Sequence, residues 1–373
     1  MDADKTKPEV ASSLSDWSKF ARRVKSTNRG TRFAIGVHRR LSAGSKLSCR
    51  LWLSLAIGWL AFAPLGATEP PASDQPTVML VVGAPGEPEF ATNFARQVEL
   101  WQKACDRAGA RVVRVGDVAV APPPTDHDRF QQALAAEPVD AAAGLWLVLI
   151  GHGTFDDQEA RFNLRGPDVS ATELAAWLKP FRRPQVIIDT TAASAPFLNR
   201  LSATNRVVIT ATRSGNELNF AHFGRYFAAA LDDPQSDLDH DGQTSLLEAF
   251  LSAATHLADF YKTEGRLATE HPLIDDNGDG LGTPAEWFRG VRAVKRPKEG
   301  GALDGVRAHQ IHLVLSAEEQ ALPPEIRAQR DALELAVARL RETKSHLPED
   351  EYYRELEKLM LQIARLTVGG VSR

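Results

Sequence analysis

Short apolar runs that alternate with longer stretches of helical periodicity are the feature that most constrains the fold of this 373-residue chain. Five such runs occur, and four of them carry β-branched residues or leucine on both faces, which is typical of strands buried in a parallel sheet. The stretches between them predict helices, one of which begins at the capping box Ser170-Ala-Thr-Glu173. We therefore predict an α/β fold with a doubly wound, mostly parallel sheet, whose functional face lies at the carboxyl ends of the strands. The predicted strands are 77–82, 111–115, 145–150, 185–189 and 206–210, and the predicted helices are 90–108, 128–136, 170–178 and 195–202.

Composition divides the rest of the chain into further segments. The far C-terminus predicts a strand at 309–315 and then a helical hairpin formed by 325–344 and 349–366. An apolar stripe on the second helix of that hairpin is consistent both with packing on the chain's own sheet and with a helical partner. The stripe consists of Leu356, Leu359, Ile363 and Leu366. The predicted segments are a leader at 1–67, a linker at 68–76, an α/β domain at 77–232 that ends in a helix at 219–231, a calcium-binding region at 233–290 that contains a helix at 246–261, and the C-terminal segment at 300–373.

The N-terminal segment predicts where the protein is located. The run from Leu51 to Ala67 carries no charge, follows a basic leader and ends in small residues, as an export signal does. At about 17 residues it is short for a membrane-spanning helix, and an uncleaved membrane anchor is the alternative. Both interpretations predict that most of the chain lies outside the cytoplasm, in the periplasm or the extracellular space. Cleavage near Ala67 removes Cys49 and leaves Cys105 alone, so no disulfide is expected.

The overall charge bears on the class of partner. A formal net charge of −4 at pH 7 leaves no basic stripe, so a nucleic-acid partner is not expected. A protein or peptide partner is compatible with this charge.

Two acidic stretches, which begin at Asp237 and Asp275, carry the spacing of EF-hand calcium loops. Calcium prefers oxygen ligands at positions 1, 3, 5, 7, 9 and 12 of such a loop, with glycine at position 6 and glutamate at position 12. Both stretches match at every position, and we predict Ca²⁺ as the cofactor. An acidic surface turn that binds no metal is the alternative. The predicted ligands are Asp237, Asp239, Asp241, Gln243, Ser245 and Glu248 in the first loop, and Asp275, Asn277, Asp279, Leu281, Thr283 and Glu286 in the second.

The loops also depart from the usual pattern. Position 8, which commonly bridges paired loops, is Thr244 in the first and Gly282 in the second, and Pro272 precedes the second loop. The pair is therefore expected to form loosened or half EF-hands. In an exported protein calcium is plentiful, so we expect the ion to stabilise the fold rather than to signal.

Two strand ends carry short motifs. The predicted strand at 145–150 ends in Gly151-His152-Gly153, and the next strand ends in Asp189-Thr190-Thr191. This pair of motifs resembles the caspase-like peptidases, and the legumain-like enzymes in particular, over residues 77–232. The resemblance implies that His152 is the general base, that Gly153 is an oxyanion donor, and that Asp189 precedes the nucleophile pair. It also implies that Thr191 stands where the family has its cysteine nucleophile.

The threonine at that position changes the expected activity. A thiolate forms readily beside an imidazole, whereas a threonine hydroxyl has a far higher pKa and needs a closely fitted base. We therefore expect a pseudopeptidase with a binding or scaffolding role, in which Glu217 or Arg213 binds a charged or amide side chain of the partner. One alternative is a hydrolase that uses Thr191, Thr190 or Ser194 with His152, which requires a hydroxyl within about 2.6–3.2 Å of the ring. The other alternative is a membrane-anchored assembly module.

Overall fold

A seven-stranded sheet forms the centre of the protein in this computed structural model, which describes residues 75–118, 123–298 and 301–370 and side chains as far as 366. In chain order the strands are β1 Thr77–Val82, β2 Arg111–Val115, β3 Leu145–Ile150, β4 Gly153–Phe155, β5 Ala160–Phe162, β6 Val169–Ser170, β7 Gln185–Asp189, β8 Arg206–Thr210, β9 Leu273–Asp275, β10 Thr283–Pro284, β11 Phe288–Arg289 and β12 Arg292–Ala293. The helices are α1 Pro88–Ala108, α2 Asp126–Ala135, α3 Ala171–Leu178, α4 Ala195–Leu201, α5 Phe223–Ala230, α6 Leu246–Thr263, α7 Val306–Gln310, α8 Ala317–Gln320, α9 Pro324–Glu342 and α10 Glu349–Gly370.

The order of the strands confirms the predicted fold class. Strands β2, β1, β3, β7 and β8 lie side by side in that order and all run parallel, and their bounds match the predicted ones. Strand β9 then pairs antiparallel with β8, and β10 pairs antiparallel with β9. The order reverses direction between β1 and β3, which is the switch point at which doubly wound sheets bind ligands. His152 follows β3 at this point.

Both faces of the sheet are covered, which explains why the strands show no alternation of polar and apolar residues. Val78 and Leu80 of β1 face a cluster that includes Trp101 of α1, together with apolar residues of α5 and α6. Met79 and Val81 face the opposite cluster, to which α2, α3 and α4 contribute. Strands β1, β3, β7 and β8 therefore lie between two layers of helices, whereas the edge strand β2 is only partly covered.

Local hydrogen bonds determine where the helices begin and end. Helix α1 ends at Gly109, which has the left-handed φ of 61° that favours glycine. Helix α3 begins at the predicted capping box, in which the Ser170 hydroxyl accepts from the Glu173 backbone. Helix α5 begins four residues later than predicted, because the Glu270 carboxylate accepts from the backbone N–H groups of His222 and Phe223.

The predicted strand at 309–315 is wrong, because helix α7 ends at Gln310 and only an isolated bridge joins His312 to Ser245. The helix forms there because the Asp276 carboxylate accepts a hydrogen bond from the Ala308 backbone at its first turn, 2.8 Å away. The predicted hairpin is present, with α10 packed along α9. Of the apolar stripe, Ile363 is buried and the three leucines are half-buried. The chain's own helix therefore covers much of this stripe.

The described residues belong to one compact unit, Pro70–Arg373. The leader, the apolar run 51–67 and Cys49 lie outside the described residues, so export and anchoring stay predictions. Among the helices of the described part, none combines the length and the apolar character that crossing a membrane requires.

Candidate metal centre and strand-end site

The first acidic loop, residues 237–248, gathers carboxylates in front of helix α6. One oxygen from each of Asp237, Asp239 and Asp241 lies within 4.8 Å of the others. The two oxygens of Asp237 accept from the backbone N–H groups of Asp241 and Gly242, at 3.0 and 2.9 Å. Gly242 has a φ of 92°, which lets the backbone turn sharply under these carboxylates. The loop therefore curves around a small space lined by carboxylate oxygens.

Glu248, at position 12 of this loop, is turned back over it. Its Oε1 accepts from the backbone of Leu238 and Asp239, and its Oε2 accepts from the backbone and hydroxyl of Ser245, all at 2.8–3.1 Å. Ser245 in turn caps helix α6. The hydrogen bonds between Ser245 and Glu248 therefore cap the start of helix α6 and also hold the end of the loop in place. Glu248 is only 1% exposed.

Burial and neighbouring charges raise the pKa of two carboxyl groups in this loop. Burial, together with the charge of Asp239, raises the pKa of Asp241 to about 6. Burial also raises the pKa of Glu248. A divalent cation would relieve this repulsion, and the hard oxygen ligands suit calcium. The residues present in this loop therefore fit the ion.

Sequence reasoning missed His309, which lies beside this loop. Its Nε2 is 3.5 Å from Asp239 Oδ2, and His309, Asp239 and Glu248 form a second group of potential ligand atoms within 4.8 Å of one another. Burial lowers the pKa of His309, but the contact with Asp239 and the charges of Asp239 and Glu248 outweigh it, so the pKa is raised overall. No local signal in the sequence links position 309 to this loop.

The second acidic loop, residues 275–286, joins β9 to β10. Asp275 accepts from the backbone of Gly278 and Gly280, at 2.8 and 2.9 Å, which repeats the contact between position 1 and the position 6 glycine in the first loop. The Asn277 and Asp279 side chains accept from the backbone two residues further on. The first half of this loop therefore has the predicted form.

The second half of this loop differs from the prediction. Thr283 begins strand β10, and its hydroxyl donates to Asp304 at 2.6 Å rather than pointing at the loop. Glu286 is exposed on a short 3-10 turn, Ala285–Trp287, where an EF-hand has a helix. Pro284 removes a backbone donor at this point and favours the turn. The structure therefore does not turn Glu286 back over the loop as it does Glu248.

His152 occupies the end of β3 at the switch point of the sheet. Its Nε2 lies 3.2 Å from the carbonyl oxygen of Pro85, in the loop that follows β1. The ring packs edge-on against Phe90, with centroids 4.7 Å apart, and also contacts Phe94 and Phe220. An aromatic cluster and the neighbouring strand-end loop therefore hold the imidazole.

The three candidate hydroxyls are engaged elsewhere. Thr191 Oγ1 is 2.7 Å from Asp189 Oδ1, Thr190 Oγ1 donates to the Leu149 carbonyl at 2.7 Å, and Ser194 Oγ is 3.1 Å from Thr212 Oγ1. Each of the three is at most 3% exposed. Within the part of the chain that the structure describes, none of them forms a hydrogen bond with His152. The geometry that the hydrolase alternative requires is therefore not present.

Gly153 and Asp189 pack closely against Thr191. A Cβ at Gly153 would lie 2.2 Å from the Ala192 carbonyl oxygen and 2.6 Å from Thr191 Oγ1, so close packing of two strand ends requires the glycine. Asp189 is fully buried, and this burial raises its pKa to about 6 despite the two bonds from Thr191. Among the described residues, its Oδ2 has no hydrogen-bond partner. These features are those of a tightly packed interior.

Arg213 and Glu217 are paired within their own loop. Glu217 accepts from the backbone N–H groups of Arg213 and His271, both at 3.1 Å, and its Oε1 is 2.5 Å from His271 Nδ1. The Arg213 guanidinium is 3.4 Å from Glu217 Oε1, and its side chain is 57% exposed. Glu217 therefore fastens the loop after β8 to residue 271, and only Arg213 is open to solvent.

Two solved caspase structures are among those to which this chain shows some similarity. The Drosophila initiator caspase Dronc is 15% identical, with a TM-score of 0.35, and the match covers 54% of this chain and 80% of that one. Caspase-1 from Spodoptera frugiperda is 10% identical, with a TM-score of 0.36, and the match covers 55% of this chain and 87% of that one. At these TM-scores the similarity assigns neither an activity nor any residue. No family model and no curated protein sequence matches the chain.

Proposed function

We propose that this chain is an exported calcium-binding protein whose bound ion stabilises the fold. The observation that carries the proposal is the gathering of Asp237, Asp239 and Asp241 within 4.8 Å, with Glu248 turned back over them. Four carboxylates in a partly buried loop repel one another, and a divalent cation with oxygen preference removes that repulsion. The first loop is the principal site in this account.

The second loop is a weaker calcium site in the same account. Asp275, Asn277 and Asp279 supply oxygens in the expected turn, while Glu286 stays in solvent. A site without its bidentate glutamate has fewer charges for the ion, and its affinity is correspondingly lower.

The α/β domain is, in this proposal, a caspase-like or legumain-like pseudopeptidase that binds or organises a protein or peptide partner. The support is the motif pair that ends in His152 and Thr191, combined with hydroxyls that are buried and bonded away from the imidazole. A nucleophile needs a base within hydrogen-bond reach, so this arrangement favours a non-catalytic role.

Thermal unfolding in calcium and in chelator tests the calcium proposal. We expect the wild-type melting temperature to be higher in calcium, because a ligand present at 100 times its Kd adds about 2.7 kcal/mol to the unfolding free energy. Glu248→Gln should lose most of that increase. The matched control is Glu264→Gln, an exposed position at the end of the same helix, which should keep it. Identical wild-type melting curves in calcium and chelator would contradict the proposal.

Labelling of an introduced thiol tests the non-catalytic assignment. The test uses the Cys49→Ser variant as the parent protein and adds Thr191→Cys to it. We expect the folded double variant to react with iodoacetamide no faster than this parent, because position 191 is fully buried. The parent itself reacts slowly, since burial raises the pKa of Cys105 to about 12. Thr172→Cys, at an exposed position, is the reactive control. Rapid labelling at position 191 would show an open cleft and contradict the assignment.

A further inference from the structure

Residues 304–312, which include helix α7 and are called the strut here, contact both acidic loops. We propose that calcium binding at the two loops is coupled through this strut, so that an ion in one loop raises the affinity of the other. The inference rests on the proposed calcium-binding function and adds a route of communication to it.

The strut is bonded to the second loop on its Asp304 side. Asp304 Oδ1 accepts from the backbone of Asp276 at 3.0 Å, and its Oδ2 accepts from the Thr283 hydroxyl at 2.6 Å. The Asp276 carboxylate in turn accepts from the Ala308 backbone at 2.8 Å. All three loop and strut side chains, Asp276, Thr283 and Asp304, are at most 3% exposed. These buried bonds make the position of α7 depend on the conformation of the second loop.

The other end of the strut is bonded to the first loop. His309 Nε2 lies 3.5 Å from Asp239 Oδ2, at the third position of that loop. The Leu246 backbone donates to the Ile311 carbonyl at 2.7 Å, and Ser245 and His312 form a β-bridge. Since Ala308 and His309 are adjacent, one peptide unit separates the contact with the second loop from the contact with the first.

Direct pairing of the loops does not provide this link. Strands β9 and β10 beside the second loop pair with each other and with β8, and the bridge from Ser245 goes to His312. Within the described residues, no strand pairing therefore joins one loop to the other. In paired EF-hands the residues at position 8 connect the two loops, and here Thr244 and Gly282 occupy that position without pairing with each other in the described part of the chain. The strut provides the connection instead.

The geometry gives the sign of the coupling. An ion in the second loop orders Asp275 and the residues after it, which fixes Asp276 and hence α7. A fixed α7 holds His309 against Asp239, so part of the ordering that the first loop needs is already complete when its ion arrives. His309 acts here as a positioning residue for the Asp239 carboxylate. Coupling of this kind typically changes affinity by at least about 5-fold.

Calorimetric calcium titration of the full chain tests the coupling, with Asp237→Asn and Asp275→Asn as matched variants that each alter position 1 of one loop. Asp241→Asn and Asp279→Asn, which each alter position 5 of one loop, form a second pair should either of the first two fail to fold. The two single-loop variants give the affinity of each loop on its own, and the sum of their isotherms describes two independent sites. If the loops are coupled, the second calcium ion binds the wild type at least about 5-fold more tightly than this sum predicts. His309→Leu, introduced into the chain with both loops intact, should give an isotherm equal to the sum of the two single-loop isotherms. His309→Gln, whose amide replaces Nε2, should retain the excess, as should His346→Leu at an exposed position in the hairpin.

The outcomes separate the two proposals. A wild-type isotherm equal to the sum of the single-loop isotherms overturns the coupling and leaves calcium binding intact. Coupling that persists in His309→Leu overturns the route through the strut. The absence of any binding in the wild type overturns the calcium proposal and the coupling together.

Discussion

Asp189 lies in an environment that disfavours the ionised form of its carboxyl group. It lies at the end of β7, fully buried, with one carboxylate oxygen bonded to Thr191 and the other without a partner among the described residues. A buried carboxylate with so few donors favours its protonated form. The family resemblance implies that this residue stands beside a nucleophile, whereas its contacts in the structure are those of a buried packing position.

The pKa of Asp189 leads to a stability prediction. Its folded-state pKa of about 6 exceeds the unfolded value of 3.8, so the folded state binds more protons between pH 4 and 6, and stability falls as the pH rises through that range. Asp189→Asn keeps an acceptor for Thr191 and removes the charge. We expect it to stabilise the protein by up to about 3 kcal/mol at pH 7, with the gain disappearing near pH 4.

Urea unfolding at pH 4.5 and pH 7 measures this difference between variant and wild type. Asp259→Asn, at an exposed position on α6, is the control and should change stability little at either pH. A gain that is equal at both pH values would contradict an ionised Asp189 at neutral pH.

At the scale of elements, Arg206 joins the ends of two helices. Its guanidinium donates to the carbonyl of Leu201, the last residue of α4, and to that of Leu178, the last residue of α3, at 3.3 Å. Helix carboxyl termini carry partial negative charge, and they favour a cation there. Arg206 is only 7% exposed, so its charge is held by these two helix ends rather than by water.

Arg206→Met should therefore lower the free energy of unfolding by about 2 kcal/mol, since it removes hydrogen bonds from a charged donor to carbonyls at the ends of two helices. Denaturant unfolding measures the loss. Arg200→Met, at an exposed position in the last turn of α4, should cost far less. Equal or greater stability of Arg206→Met would mean that desolvation of the buried charge exceeds the value of its bonds.

Elements with strong local patterns were predictable, and contacts between distant segments were not. Four of the five parallel strands, β1, β3, β7 and β8, matched because each is a short, largely apolar run buried on both faces. The carboxylate cluster of the first acidic loop could be predicted because its residues are close in sequence. The exposed Glu286 could not be foreseen, because spacing alone does not show that β10 and a 3-10 turn replace a helix after the loop. The same limit applies to His309, whose contact with Asp239 depends on where α7 packs.

At the scale of the whole molecule, the two candidate sites lie at different ends of the sheet. His152 follows the carboxyl end of β3, whereas β9 runs antiparallel to β8 and carries the second acidic loop toward the amino end of β8, beside Ala203 and Thr204. Calcium bound there is remote from the strand-end site. The proposal therefore assigns to an ion at the second loop an effect on the stability of the scaffold and none on His152.

The most direct test of the account is a calcium titration by calorimetry on the chain from Thr68 onward, which contains the whole compact unit, compared with an Asp237→Asn, Asp275→Asn double variant. The account predicts two binding events in the wild type, the stronger at the first loop, and neither in the variant. No heat in the wild type, together with no bound metal by elemental analysis, would contradict calcium binding and leave the acidic loops as turns of the fold.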